Sequence, residues 1–584
     1  MDAILVQLSS NYLHYNVSEK EPQLGQYYIA DWAARQGFEV RIKHYESALP
    51  VVKDLTKLLE SHACKVVGFY VDSENIWALR RIIPEIKHLL PIIKIVIGGP
   101  QVTGDPELAL KRVISADVAI IGEGEVPFSK LLSCNFTYDE LNTINGIVFK
   151  QGDKYINTGN TDREINIDQY SYPKRELYSL DSGLSYKSLI TGRGCVGKCA
   201  FCFEGSKTHN RLRFRSIDSV KEEFSYLVEL SGSNSYISFL DDTFIIDPER
   251  TINICNWLIQ KYQGNVKWFC EARADILLKN KHLIPLMKKA GLIRVQLGGE
   301  SGCQSILDAY KKGVTTRQIE EVVSLLYEVG IPSVYINFII GGAFETVDTF
   351  NQTLNFAISL MNKAPGCVEV GSSLFTPYVG SPMRMHPDSY GIKIIDSESV
   401  RGQDGHIPAV ETNELSEYKI LQMKTYFDNE IDKQYDILLK ILPKEVIMLH
   451  YKLDLDYNAT TMWYQRINAN EKYKNYFGAI CSNKYSPFSE VCPNMKDVSI
   501  PHRTLQPISD GASYYYKSNS NEYVCFPPLE EKVFMLSAGK LSYGEIREIL
   551  LTHGLLDPNK ADNFLDDFYS KFDNEYYFVW KTLF

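Results

Sequence analysis

Three cysteines fall within eight residues, in Cys195-Val-Gly-Lys-Cys199-Ala-Phe-Cys202. The spacing C-x3-C-x2-C lets three thiolates from one short loop converge on one metal centre, and thiolate suits iron–sulfur clusters and zinc. Three ligands where a closed site wants four leave one coordination position open for chemistry. A structural zinc with His209 or another residue as fourth ligand is the plainer reading. Structural zinc usually arrives as two ligand pairs, and no second C-x2-C or H-x3-H lies downstream. The other nine of the twelve cysteines are scattered as small apolar residues would be, with Cys481 and Cys492 close enough to raise a second metal site.

A second set of chemistry-bearing residues follows short apolar runs. Gly98-Gly99-Pro100 and Gly122-Glu123-Gly124-Glu125 lie in the first third of the chain. Asp241-Asp242, Glu271 with Arg273, Gly298-Gly299-Glu300-Ser301 and Gly341-Gly342 with Glu345 lie in the middle. Glycine pairs allow positive φ and let a ligand approach the backbone. A tight turn with no ligand explains each glycine pair taken singly, and a solvated loop charge explains Asp241-Asp242 taken alone. The middle set, carried at successive strand ends on one rim, is harder to explain as surface decoration.

The elements that must position these residues read as two successive α/β arrays. The runs Ala3–Leu8, Glu39–His44, Lys65–Val71, Lys94–Gly98 and Asp117–Gly122 alternate with helical segments such as Asn75–Leu90, whose Trp77, Leu79, Ile82, Ile83 and Ile86 follow helical spacing. Short β-branched runs alternating with helices imply a parallel sheet that binds ligands at its strands' carboxyl ends. A short hairpin, Gly146–Lys150 with Lys154–Asn157, leads into six strand–helix units. Their strands are Ser188–Thr191, Tyr236–Leu240, Val266–Ala272, Ile293–Leu297, Val334–Ile340 and Val368–Phe375, three-quarters of a TIM-type barrel with its site at the same rim.

The expected fold is therefore α/β. A Rossmann-like, flavodoxin-like domain over 1–140, a hairpin and linker over 141–185 and a partial (β/α)6 barrel over 186–400 precede a mainly helical C-terminal domain over 401–584. In that last domain Glu414–Ile441, Leu529–Gly539, Tyr543–Leu550 and Ala561–Phe572 read as helices and Tyr576–Trp580 as a strand. The Tyr- and Asn-rich stretch over 450–525, with Tyr514-Tyr515-Tyr516, reads as core and rim packing, with a substrate-facing aromatic surface as the sharper alternative, and the closing helices and strand as a winged-helix-like unit of the sort that holds peptides.

The chain has 584 residues and a formal net charge of −10, which argues against a nucleic-acid substrate. No apolar run reaches the ~18–20 residues of a membrane span, and Met1–Val6 runs directly into a strand, so the expected location is cytoplasmic.

The cysteine spacing, with Phe201 before the last cysteine, resembles the radical S-adenosylmethionine (SAM) superfamily. The order Pro22-Gln23-Leu24-Gly25, Gly98-Gly99-Pro100, Gly122-Glu123-Gly124-Glu125 is similar to that in the cobalamin (B12)-dependent branch. So are Asp241-Asp242-Thr243-Phe244, Arg273-Ala274-Asp275, Gly298-Gly299-Glu300-Ser301 and Lys311-Lys312-Gly313. The cofactors implied are a [4Fe–4S] cluster on Cys195, Cys199 and Cys202, SAM on its open iron, and cobalamin. The implied SAM contacts are Asp242 and Gly299 to the methionyl amino group, Glu300 and Arg273 to ribose or carboxylate, with Gly298 and Gly341 beside them. The implied cobalamin contacts are Val71, Asp72, Gly98, Gly99, Pro100, Gly122, Glu123 and Gly124. The D-x-H-x2-G signature that supplies histidine to cobalt is absent, so such a ligand is not expected.

By this resemblance the expected activity is methyl transfer from methylcobalamin to an unactivated carbon of a small molecule or peptide, in natural-product, peptide or cofactor biosynthesis. A flavodoxin-like protein would donate electrons. Rearrangement, cyclisation or ring contraction without methyl transfer is the alternative. A methylthiotransferase would need three further N-terminal cysteines, and only Cys64 and Cys134 are present.

Overall fold

The computed structural model describes residues 1–8, 23–46, 50–160, 166–203, 212–232, 234–395, 407–482, 484–505, 507–509, 514–518, 522–573 and 575–581, with backbone alone between 507 and 524. His14, Pro22, His209 and the Tyr514–Tyr516 side chains lie outside this description.

Two α/β sheets follow one another in a first compact unit, Met1–Asp432. In the first sheet β1 (Ala3–Leu8), β2 (Val40–Tyr45), β3 (Val66–Tyr70), β4 (Lys94–Gly98) and β5 (Val118–Ile120) are parallel, in the order β2-β1-β3-β4-β5. β1 is buried at all six positions, because helices cover both faces of such a sheet and every side chain faces a core. In the helix Ile76–Leu89 the predicted Leu79, Ile82, Ile83 and Ile86 are buried together with Ile76, while Trp77 is half-buried and Leu89 exposed.

The hairpin differs from its expected place in a linker. β6 (Ile147–Gln151) pairs antiparallel with β5, and β7 (Lys154–Asn157) with β6, so the hairpin extends the first sheet to seven strands. Ile147, Val148 and Phe149 are buried, and that apolar triplet needs a sheet to lie in.

The second sheet has β8 (Ser188–Leu189), and after a separate antiparallel pair of β9 (Gly192–Arg193) with β10 (Arg213–Phe214) it continues with β11 (Tyr236–Phe239), β12 (Lys267–Ala272), β13 (Leu292–Glu300), β14 (Ser333–Ile340) and β15 (Val368–Leu374). Its six parallel strands run β15-β14-β13-β12-β11-β8, as the sequence predicts. The connecting helices start and stop by local chemistry. Thr315 and Gln318 form a capping box at the start of Thr316–Val329, and Gly330 ends it at φ 82°.

The first compact unit ends at Asp432 rather than near 400. The helix Glu417–Leu439 begins on the barrel, with Ile420 against Gly341 and Phe427 against Phe338 and Phe350. The second unit, Lys433–Phe584, is mainly helical. Pro528–Leu536, Tyr543–Thr552 and Ala561–Asp573 surround an aromatic core of Phe534, Tyr543, Phe568, Tyr569 and Trp580, and Ile500–Arg503 pairs antiparallel with Phe578–Lys581. Within the tyrosine-rich stretch Tyr473 and Tyr476 are buried and Tyr451, Tyr457, Tyr464 and Tyr485 are half-buried. Among the described residues no helix is long and apolar enough to cross a membrane.

Candidate active site at the facing strand ends

The carboxyl ends of both sheets open onto one cavity of ≈ 470 Å³. From the first sheet it is lined by Gly98, Gly99, Pro100, Gly122, Glu123 and Gly124, over an apolar floor that includes Leu5, Val96 and Ile120. From the second come Ile190, Gly192, Arg193, Gly194, Leu240 and Asp242, with Phe203 and Arg213. One of these glycines is required by the backbone and another is crowded by a neighbouring side chain. Gly99 has φ 114° and ψ −176°, a region essentially closed to other residues, and a Cβ there would lie 2.6 Å from the Val71 carbonyl oxygen. A Cβ on Gly124 would lie 2.8 Å from Ile29 Cδ1.

Val71 and Asp72 sit behind this wall rather than on it. Val71 N donates to Gly98 O at 2.7 Å, while Asp72 accepts from the backbone of Glu74 and Asn75 to close the turn into the next helix. Glu123 does line the cavity, but its carboxylate is held by Arg193 and Arg213.

The cysteine loop leaves β9. Cys199 is buried and Cys195 and Cys202 are half-buried. A Cβ on Gly197 would meet Cys195 Sγ at 3.4 Å, Cys199 Sγ at 3.6 Å and Arg273 Nη1 at 3.2 Å, so the loop closes tightly under the guanidinium. Gly197 N donates to Cys195 Sγ at 3.3 Å, and Arg273 Nη1 lies 3.8 Å from Cys199 Sγ. Ala200 N donates to Tyr310 O at 2.8 Å, and Phe201 meets the Tyr310 ring edge-on at 5.5 Å. Among the described residues no three His, Cys, Asp or Glu side chains gather around a single ion. Zinc would need that arrangement, whereas in a [4Fe–4S] cluster each thiolate binds a different iron.

The carboxylates divide into two kinds. Asp241 is not a solvated loop charge but a buried brace: it accepts from Thr191 N at 2.5 Å, from Gly192 N at 3.2 Å and from Thr191 Oγ1, and burial pushes it up to about 6. Asp242, next in the chain, lines the cavity without a hydrogen-bond partner among the described residues, its pKa raised by desolvation. Glu271 is pushed up to about 7, first by burial and then by the Asp242 carboxylate.

Several predicted SAM contacts are engaged within the protein. Glu300 is buried against Lys312, and a Cβ on Gly298 would strike both members of that pair at 2.3 Å. Gly299 packs against Ile336 and Gly341 against Ile420, each too close for a side chain. Arg273 is held by Asp275 and donates to Lys312 O at 2.6 Å. Arg193 and Arg213 were not singled out by the sequence, although the alternating arginines 211, 213 and 215 hint at one strand face.

The Radical SAM superfamily profile matches residues 189–357, and the B12 binding domain profile matches 14–132. The chain is a B12-binding radical SAM protein. An uncharacterized methyltransferase of Pyrococcus horikoshii is 29% identical over 344 residues, which span 58% of this chain and 73% of that protein. An anaerobic magnesium-protoporphyrin IX monomethyl ester cyclase of Rubrivivax gelatinosus is 28% identical over 304 residues, spanning 50% of this chain and 54% of that one. The cobalamin-dependent SAM radical enzyme OxsB, solved with aqua-cobalamin and SAM, shares the fold with a TM-score of 0.59 at 16% identity, over 83% of this chain and 71% of that one.

The cofactors of this radical SAM protein are a [4Fe–4S] cluster, SAM and cobalamin. The residues present fit them: three thiolates under N–H donors suit a cluster, and the side-chain-free strand ends over an apolar floor suit the broad face of a corrin. No histidine lines the cavity among the described residues.

Proposed function

We propose that this B12-binding radical SAM protein is a methyltransferase acting on an unactivated carbon of a small molecule or peptide, with electrons from a flavodoxin-like donor. The observation that carries this reading is the single cavity onto which the glycine-bearing ends of β4 and β5 and the cysteine-loop neck both open. The likeness to a named methyltransferase supports it. When bound, the cluster with SAM supplies a carbon-centred radical, and cobalamin supplies a transferable methyl group.

The chain's own part is to bind, orient and exclude water. Gly98, Gly99, Pro100, Gly122 and Gly124 leave the corrin face uncrowded, with Val71 and Asp72 fixing the turn behind them. Asp242, whose carboxylate is unpaired among the described residues, faces the methionyl ammonium, and the raised Glu271 beside it is partly protonated near neutral pH. Gly299, Glu300 and Arg273 border the ribose and carboxylate end, while Gly298 leaves room for the Glu300–Lys312 pair and Gly341 for Ile420. Leu240, Ile190 and Phe203 give the substrate an apolar wall that sheds water before reaction.

Cyclisation without methyl transfer is the second reading, favoured by the likeness to the anaerobic cyclase. Holoprotein incubated anaerobically with methyl-deuterated SAM and metabolite extracts separates the two. Methyl transfer predicts S-adenosylhomocysteine, with deuterated methyl on a carbon of one metabolite. Release of 5′-deoxyadenosine with neither of these supports cyclisation or rearrangement and overturns methyl transfer.

A further inference from the structure

Arg193 in β9 and Arg213 in β10 face each other in register where the chain enters and leaves the cysteine segment. Both reach one carboxylate of the B12-binding domain. Arg193 Nη1 lies 3.2 Å from Glu123 Oε2, while Arg213 donates to the same oxygen from Nη1 at 3.1 Å and to Oε1 from Nη2. Arg193 Nη2 then reaches Glu125 Oε1 at 2.7 Å.

These four side chains retain 16, 9, 19 and 4% exposure for Arg193, Arg213, Glu123 and Glu125, so salt screens them weakly. Two cations balance two anions, which offsets the cost of burying them. The Arg193 guanidinium also lies over the Tyr28 and Tyr170 rings at 5.1 and 5.4 Å.

A second tie meets the loop between Cys199 and Cys202. Met383 N donates to Ala200 O at 3.0 Å, and nearby Val379 packs so closely on Gly104 of the B12-binding domain that a Cβ there would lie 2.4 Å from its carbonyl oxygen.

We propose that Glu123 is a positioning residue: with Glu125 it clamps both arms of the cysteine loop through Arg193 and Arg213 and so fixes the cluster relative to the cobalamin site. Residues 68 to 90 positions apart in the chain are thereby locked into one ionic unit. The family likeness implies a corrin contact for Glu123, but its oxygens are committed to guanidiniums. The proposal rests on the two cofactor sites and is independent of whether methyl transfer follows.

The test uses full-length protein reconstituted with iron, sulfide and hydroxocobalamin, as wild type, E123Q, R213Q and the double variant. Corrin affinity is titrated by absorbance. The magnetic interaction between reduced cluster and cob(II)alamin is read by electron paramagnetic resonance, which a general loss of stability does not shift. The clamp predicts corrin affinity within about threefold of wild type in each variant. It also predicts an altered or broadened magnetic interaction in both single variants, with the double no worse than either. A drop in corrin affinity of about tenfold or more in E123Q but not in R213Q makes Glu123 a direct corrin contact and overturns the proposal. An unchanged magnetic interaction in both single variants also overturns it. Should E123Q fail to fold, R213K decides in the same way, because lysine keeps the charge but cannot bridge both oxygens.

Discussion

Lys312 Nζ lies 2.6 Å from Glu300 Oε1, and the two side chains retain only 10% and 9% of their exposure. Burial lowers the Lys312 pKa, but Glu300 and Cys199 together hold the ammonium above its ordinary range. Gly298 exists in this sequence to leave room for the pair. Arg273, whose guanidinium donates to Lys312 O at 2.6 Å and lies 3.8 Å from Cys199 Sγ, links the pair to the cysteine loop.

Removing one partner leaves a buried charge. Lys312→Met should destabilise the protein by about 3–5 kcal/mol, and adding Glu300→Gln should recover part of that loss. Thermal melts of the two single variants and the double check this. Strict additivity would show that the pair is not coupled.

Gly99 combines a backbone region closed to other residues with a Cβ position 2.6 Å from Val71 O. Gly99→Ala should cost about 1–3 kcal/mol and weaken corrin binding, because the β4 turn must shift. An absorbance titration of corrin into the variant and wild type checks this, and an unchanged affinity would show that the turn does not shape the corrin site.

Much of this arrangement was legible in the sequence, for identifiable reasons. Strands such as Ala3–Leu8 and Val334–Ile340 are buried on both faces, so they read as continuous apolar runs whatever surrounds them. The cysteine loop was legible because its ligands are local. The pairing of Ile147–Gln151 with β5 was not, because an apolar hairpin does not name its neighbour. Nor was the burial of Asp241, since its partners Thr191 and Gly192 lie about fifty residues earlier. The same holds for Glu123, whose guanidinium partners flank the cysteine segment on either side.

Glu345 is fully buried, with Oε2 accepting from Gly341 N and Oε1 unpartnered, and burial pushes it up to about 8. A carboxyl raised above its unfolded value binds its proton in the folded state where the unfolded chain has lost it. Stability from this group is therefore full below about 4.5 and falls as pH rises toward 8. Glu345→Gln should flatten that slope, so its melting temperature relative to wild type should rise between pH 5 and 8. A constant difference across that window would show that Glu345 titrates normally.

The central claim is that one chain holds a cluster and a corrin at facing strand ends. It is tested most directly by anaerobic reconstitution with iron, sulfide and hydroxocobalamin, followed by quantification of bound metal and corrin. The account predicts about four irons and one corrin per chain, with Cys199→Ala losing the iron and keeping the corrin. Iron without corrin, or zinc in place of iron, would contradict it.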